Sequence, residues 1–160
     1  TVWFGAAAQI CNTLLFAVDH HGGSEENQIG WEWHDPTLVD ASTGRLNTLP
    51  HFEKTMSRAG LTETVRTVVG DSPTIASTWT QEIAMCFIDG GHARDVAAND
   101  YAAWNGHIAL GGILAIHDVF TDPALGGQAP YEEIYLAAIN SGKFADVSAT
   151  GSLRVLTRVK

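Results

Sequence analysis

Basic residues are scarce in this chain. Nine Lys and Arg face eighteen Asp and Glu, for a net charge of −9, and no Lys/Arg cluster offsets that balance locally. Non-specific nucleic-acid binding needs a basic surface, so the composition argues against a nucleic-acid partner and disfavours polyanionic substrates. Long apolar runs are also missing. None approaches the ~18 residues that a bilayer-spanning helix needs, which argues against a membrane partner. No secretory leader is visible, although the chain opens on Thr1 and not on Met. Cysteine is limited to Cys11 and Cys86. Both lie in apolar stretches and read as small buried thiols, in keeping with a reduced, cytoplasmic setting. The pattern holds no repeat, no low-complexity tract and no second domain.

What is present suits one globular domain. The 160 residues are 45% apolar with a mean hydropathy of +0.01, enough for a real core. Apolar runs alternate between strand and helix character. Residues 1–12 are alanine-rich and read as a helix, and 13–18 as a strand that ends in Asp19-His20-His21-Gly22-Gly23. Residues 22–50 form a long polar loop rich in Trp, Gly, Asp and His, a length that usually signals function or small elements of its own. A helix over 49–59 is closed by Gly60 at C′. A β-branched strand follows at 64–69, then Gly70-Asp71-Ser72-Pro73 and a helix to about residue 79, with Asp71 or Ser72 as its cap. Strand 83–88, helix 93–107 with Val96, Tyr101 and Trp104 inward, strand 113–116, a Gly/Pro loop at 122–130 and helix 131–141 continue the alternation. Two strands, 144–148 and 153–159, close the chain around Gly151. The expected fold is α/β, a Rossmann-like doubly wound, mostly parallel sheet with an antiparallel C-terminal edge strand.

Two segments carry the chemistry. Cys-Phe-Ile-Asp-Gly-Gly-His at 86–92 and Gly-Gly-Ile-Leu-Ala-Ile-His-Asp at 111–118 are short apolar strands that end abruptly in acid and histidine. A strand buried on both faces reads as a continuous apolar run. Ligands of an open parallel sheet sit just past the carboxyl ends of its strands. Asp89, His92, His117 and Asp118 are therefore expected to converge on one crevice.

These motifs resemble the class I S-adenosylmethionine-dependent methyltransferases, in the branch near the macrocin O-methyltransferases and the cephalosporin-hydroxylase-like groups. The resemblance covers essentially the whole chain. It rests on Val-Asp-His-His after one strand, Val-Val-Gly-Asp-Ser after the next, Phe-Ile-Asp-Gly-Gly-His, Gly-Gly-Ile-Leu-Ala-Ile-His-Asp-Val-Phe, and the terminal Gly-Ser-Leu-Arg-Val-Leu, in that order. It implies one methyltransferase-like domain over 1–160. Members of the family begin with a strand and a glycine-rich turn that wraps the cofactor's methionine moiety. Nothing here matches that turn, so the domain is expected to be N-terminally incomplete.

The resemblance also implies roles. S-adenosylmethionine is the expected cofactor, held by Asp19, His20, Gly70, Asp71, Ser72 and Asp89. Asp19 suits a ribose diol; otherwise it is a solvated loop acid. One of His20 and His21 lines the site while the other faces water or caps a turn. Gly70 admits a flat ring, and Asp71 or Ser72 reaches an adenine edge; a plain helix cap serves the same tripeptide equally. Asp89, His117 and Asp118 form the expected divalent-metal site, for Mg, Mn, Fe or Zn, the imidazole widening the choice of ion. Otherwise Asp118 caps a turn and His117 packs against an aromatic ring. Asp89 and His92 are the expected catalytic residues, one of them taking a proton from an acceptor hydroxyl. Trp31 and Trp33 form a lid or acceptor wall, or pack on the body or on a sister subunit. The 126–131 stretch forms the opposite rim with Tyr131 turned inward, or is a solvated loop. The expected activity is O-methylation of a small hydroxylated molecule, and the expected partner besides that acceptor is a second copy of the chain, a homodimer that would bury some of the tryptophan-rich loop. The alternatives are a non-catalytic or partner-dependent remnant of the fold, and a hydrolase using the same cluster on a metal-bound water.

Overall fold

The computed structural model describes residues 1–160. It divides into two compact units, Thr1–Ile75 and Ala76–Lys160. The architecture is mixed α/β, with parallel strand pairs and an antiparallel edge. No helix is long and apolar enough to cross a membrane.

The first unit is built on one parallel pair. Helix α1 (Val2–Ile10) leads into strand β1 (Leu15–Asp19), which pairs in parallel with β2 (Val65–Val69). Helix α2 (Leu49–Arg58) connects them. Its end is a Schellman motif. Gly60 sits at φ +67 and its N–H returns to Ser57 O at 3.1 Å, while Leu61 N–H returns to Met56 O at 3.0 Å. That turn drives Leu61 inward, where it joins Met56 and Val65 as a small core flanked by Leu15, Ala17 and Phe52. Helix α1 approaches this core through Gly5, where a Cβ would stand 2.8 Å from Val65 and 2.9 Å from Leu61.

The long connection between β1 and α2 is not featureless. It holds two short 3-10 turns, Glu25–Asn27 and Pro36–Leu38, and a bridge between Val39 and Leu46. Ser24 and Asn27 form a capping box, and Asp40 accepts hydrogen bonds from Ser42 and Thr43. Trp31 and Trp33 are exposed.

In the second unit, β3 (Ile83–Ile88), β4 (Ile108–Ile116), β6 (Leu153–Arg158) and β5 (Phe144–Thr150) lie side by side in that order. β3 and β4 are parallel; β6 runs antiparallel to both β4 and β5. Paired on both sides, β4 is the innermost apolar strand, and Leu114, Ile116 and Ile108 are fully buried. It begins five residues earlier than expected, because the Gly111–Gly112 bulge lets the pairing with β3 jump from Ile108 to Ile113. Helix α4 (Arg94–Trp104) buries Ala97, Asp100, Tyr101 and Trp104. Val96, expected inward, is 40% exposed, since the buried stripe runs through Ala97 and Asp100 instead. The expected helix after Pro130 starts as a π-helical segment, Pro130–Leu136, and becomes α5 at Ala137–Asn140.

The cysteines separate. Cys11 is exposed, contrary to the buried-thiol expectation, because it caps the end of α1 beyond that helix's packed face. Cys86 lies on β3 against the second core, and burial pushes its thiol up to about 12, with the Asp100 carboxylate adding to the effect.

Candidate functional site

Two parallel strands place the acid and the imidazole. Ile88 on β3 stands opposite Ile116 on β4, and His117 N–H closes the last rung on Ile88 O at 3.1 Å. The next residue of each strand, Asp89 and His117, must then emerge side by side. His117 Nδ1 lies 3.1 Å from Asp89 Oδ1 and 3.1 Å from Asp118 Oδ1. One donor atom from each of Asp89, His117 and Asp118 lies within 4.8 Å of the other two. His117 also meets the Phe87 ring edge-on at 6.2 Å.

Asp118 owes its position to an unusual backbone. Its φ of +53 is left-handed, a region that Asp tolerates better than most residues. The turn is braced from the β5–β6 connection: Val119 N–H bonds Ser152 O at 2.8 Å, and Ser152 Oγ reaches Asp118 Oδ1 at 3.4 Å. Its second oxygen, Oδ2, lies 3.2 Å from His92 Nε2. One carboxylate therefore faces two imidazoles, one on each oxygen.

The electrostatics oppose one another. Partial burial raises the Asp89 carboxyl above its ordinary range; His117 opposes that, the Asp118 carboxylate reinforces it, and His92 opposes it again. The side chains of Asp89 and His117 remain 49% and 44% exposed, so the cluster is reachable from outside. Beneath it lies a cavity of about 10 Å³ lined by Asp89, Gly90, Gly91, His92, Asp100 and His117, among others. That is room for one water at most. Asp100 is buried under the turn, and a Cβ on Gly90 would stand 2.8 Å from its Oδ2. The sequence reading missed Asp100. Its spacing from Ala97 on the buried face of α4 is the signal that would have found it.

Apart from Tyr131, the remaining expected residues belong to the first unit. Asp19 ends β1 with its side chain 54% exposed, and its Oδ1 accepts the His21 N–H at 2.7 Å. It opens onto a recess of about 340 Å³ shared with His21, Thr48, His51 and Phe52. His20 does not line this recess. It is exposed, and its Nδ1 accepts the Gly22 N–H at 3.0 Å, a turn-capping role. Of the two histidines, His21 therefore faces the recess. At Gly70 the space a Cβ would take is filled by Ile75 Cδ1 at 3.0 Å, and the Gly70 N–H is tied to Asp19 O at 3.1 Å. Asp71 accepts from the Thr74 N–H at 3.0 Å and hydroxyl at 2.6 Å, and these bonds hold its carboxyl below the usual range. It caps the helix α3 (Ser72–Ser77), on which Ser72 is the first residue. Tyr131 is half-buried and stacks on Tyr135 at 5.9 Å.

A strand-end cluster of acid and imidazole on a Rossmann-like sheet defines a class of ligand-binding α/β domains. Within it, the family model described as "Methyltransferase domain" matches residues 1–119, and the chain belongs to that family. Solved structures share the fold. The O-methyltransferase NovP superposes with a TM-score of 0.69 over 99% of this chain and 66% of its own, at 11% identity. CalS11, a TDP-rhamnose 3'-O-methyltransferase of calicheamicin biosynthesis, gives 0.63 over 98% and 65%, at 10% identity. MycE, from the mycinamycin biosynthetic pathway and solved in complex with Mg, SAH and mycinamycin VI, gives 0.52 over 99% and 48%, at 13% identity. The chain thus spans less than two thirds of the length of these proteins.

Proposed function

We propose that these 160 residues act as one methyltransferase domain, transferring the methyl group of S-adenosylmethionine to the hydroxyl of a small acceptor with the help of a divalent ion. The observation that carries the reading is the cluster at the ends of β3 and β4, with His92 bonded to its outer carboxylate. Membership of a methyltransferase family favours this chemistry over a hydrolase built on the same three donors.

The donor set fits an ion. Two carboxylates and one imidazole are within reach of a single centre, and they are half-exposed to an incoming ligand. Asp89, His117 and Asp118 would hold it. The recess beside Asp19 fits part of a nucleoside: its volume is at the lower end of ordinary ligand sites. The Asp19 Oδ2 is turned to no closer partner than His21 Nδ1 at 3.9 Å, which leaves it able to accept from a ribose diol. When bound, the ion lowers the pKa of an acceptor hydroxyl and fixes its position, and the sulfonium supplies the methyl group.

The chain's own residues do the rest. Asp118 Oδ2, 3.2 Å from His92 Nε2, orients the imidazole, and His92 is the base that takes the hydroxyl proton. The same carboxylate stabilises the imidazolium that results, as the acid does in an Asp–His pair of any hydrolytic triad. Gly90 and Gly91 let the chain turn between Asp89 and His92, and the absence of a side chain at Gly90 makes room for the buried Asp100. The NovP and CalS11 names, both O-methyltransferases, support oxygen as the acceptor atom, and the Mg and SAH in the MycE complex support the ion and the cofactor.

Calorimetric titration tests the reading. Saturable binding of Mn²⁺ alone, and of S-adenosylmethionine with and without Mn²⁺ or Mg²⁺, is the expected result. A folded chain that takes up neither is not acting as this enzyme.

A further inference from the structure

His21 sits in a place that costs the protein three times over. Its φ of +58 is left-handed. Its side chain is buried, with 4% of the residue exposed, yet Nε2 has no hydrogen-bond partner. Its third cost falls on a neighbour. Thr48 is the N-cap of α2, where a threonine hydroxyl ordinarily accepts from the first helical N–H groups. Here it makes no cap bond. The hydroxyl instead meets His21 Nδ1 at 2.8 Å, and Asn47 takes the Leu49 N–H at 3.1 Å.

A phenylalanine or leucine would fill the same space, against the Phe52 ring 5.3 Å away, and leave no polar atom orphaned. What the histidine supplies is attachment. Its ring is fixed to the Thr48 hydroxyl, and its carbonyl accepts the Thr48 N–H at 3.0 Å. Held at both ends, the residue presents its own N–H to Asp19 Oδ1 at 2.7 Å, the shortest bond that carboxylate makes. Strained backbone, an unsatisfied buried atom and a diverted helix cap are tolerated where a functional group must be held in one orientation.

We infer that His21, anchored by Thr48, is the positioning residue for the Asp19 carboxylate, locking one of its oxygens so that the other faces the recess. The inference rests on the reading of Asp19 as a cofactor contact. It adds two residues of the recess wall, His21 and Thr48, that act through Asp19 on how tightly the cofactor is held.

The test is a double-mutant cycle read by S-adenosylhomocysteine affinity. Thr48→Val keeps the size of the side chain and removes its hydroxyl; Thr48→Ser keeps the hydroxyl. Thr48→Val is expected to bind about tenfold more weakly, as for a lost bond to a positioned charged group, and Thr48→Ser to bind like the parent. In an Asp19→Ala background Thr48→Val is expected to have no further effect, because nothing is left to position. A penalty that persists undiminished in that background, or wild-type affinity in Thr48→Val, overturns the inference. A second readout needs no ligand. Amide exchange at His21 is expected to quicken about tenfold or more in Thr48→Val, while β1 and α2 exchange as before. Unchanged exchange at His21 also overturns it. If the parent chain binds no S-adenosylhomocysteine, the cofactor reading of Asp19 has failed, and the exchange result alone decides the anchoring.

Discussion

Replacing Asp118 separates its charge from its backbone. The residue supplies one of two carboxylates in the cluster and also occupies a left-handed φ of +53. Asn adopts that region readily and Ala does not. Asp118→Asn therefore keeps the turn and loses the charge, while Asp118→Ala loses both. Loss of a supporting group around a metal ordinarily lowers affinity 10–100-fold, and a direct donor is worth at least the upper figure. Both variants should thus bind Mn²⁺ at least about 100-fold more weakly, about 2.7 kcal/mol. Stability should part them. The left-handed conformation costs Ala about 1 kcal/mol more than Asn, or about 2–4 °C in melting temperature for a chain of this size. Mn²⁺ titration by calorimetry and a thermal melt of each variant, without metal, give both numbers. An Asn variant that binds Mn²⁺ within about threefold of the parent refutes the donor role. An Ala variant that melts with the Asn variant refutes the backbone argument.

Other expectations follow from the packing. A thiol reagent at pH 8 should label the exposed Cys11 quickly and the partly buried Cys86 far more slowly, because a thiol raised to about 12 is almost wholly protonated there. Mass-mapped labelling reads this directly; rapid double labelling of the folded chain would contradict it. Gly112→Ala should destabilise by about 1–3 kcal/mol in urea, since its Cβ would fall 2.8 Å from Ala109 O and 3.0 Å from Ala84 O, backbone atoms that cannot step aside. Asp71 and Asp40 are held below the ordinary carboxylate range by hydrogen bonds. Their contribution is complete above the unfolded pKa, about 3.9, and is lost as pH falls through the lower folded value. The gap in urea midpoint between the parent and an Asp40→Asn, Asp71→Asn double variant should therefore be present at pH 6 and shrink on acidification toward pH 2. A gap that widens at low pH would show that those bonds do not favour the charged form.

The strand ends were legible because two independent signals coincide there. The apolar runs that close on Ile88 and Ile116 mark where β3 and β4 end, so the first polar residues after them could be placed beside each other from the sequence alone. The same logic put Asp19 at the end of β1. What failed was finer. Choosing His20 over His21 needed the left-handed turn at His21, which reverses the outward-inward alternation that sequence spacing assumes. Val96 was read as inward on α4, but an alanine-rich helix has no strong apolar stripe, and the buried positions Ala97 and Asp100 carry little hydrophobic signal of their own. The bulge at Gly111–Gly112 hid the first half of β4, since two glycines read as a break in a strand and here they only bend it. The Cys11 error has a similar origin: apolar neighbours predict burial only when they share its face.

The brace on Asp118 comes from Ser152, in the turn between β5 and β6, whereas the family match stops at residue 119. Every candidate donor thus lies inside the recognised region, while the strand that flanks β4 and the turn that steadies its end lie outside it. A fragment cut at that boundary would keep the whole ligand set and lose its scaffold. For such a fragment, any affinity for an ion would have to be drawn partly into ordering the loop, so metal uptake and local folding would become one event. The recognisable portion of this chain names the chemistry; the hairpin that follows it makes the geometry permanent.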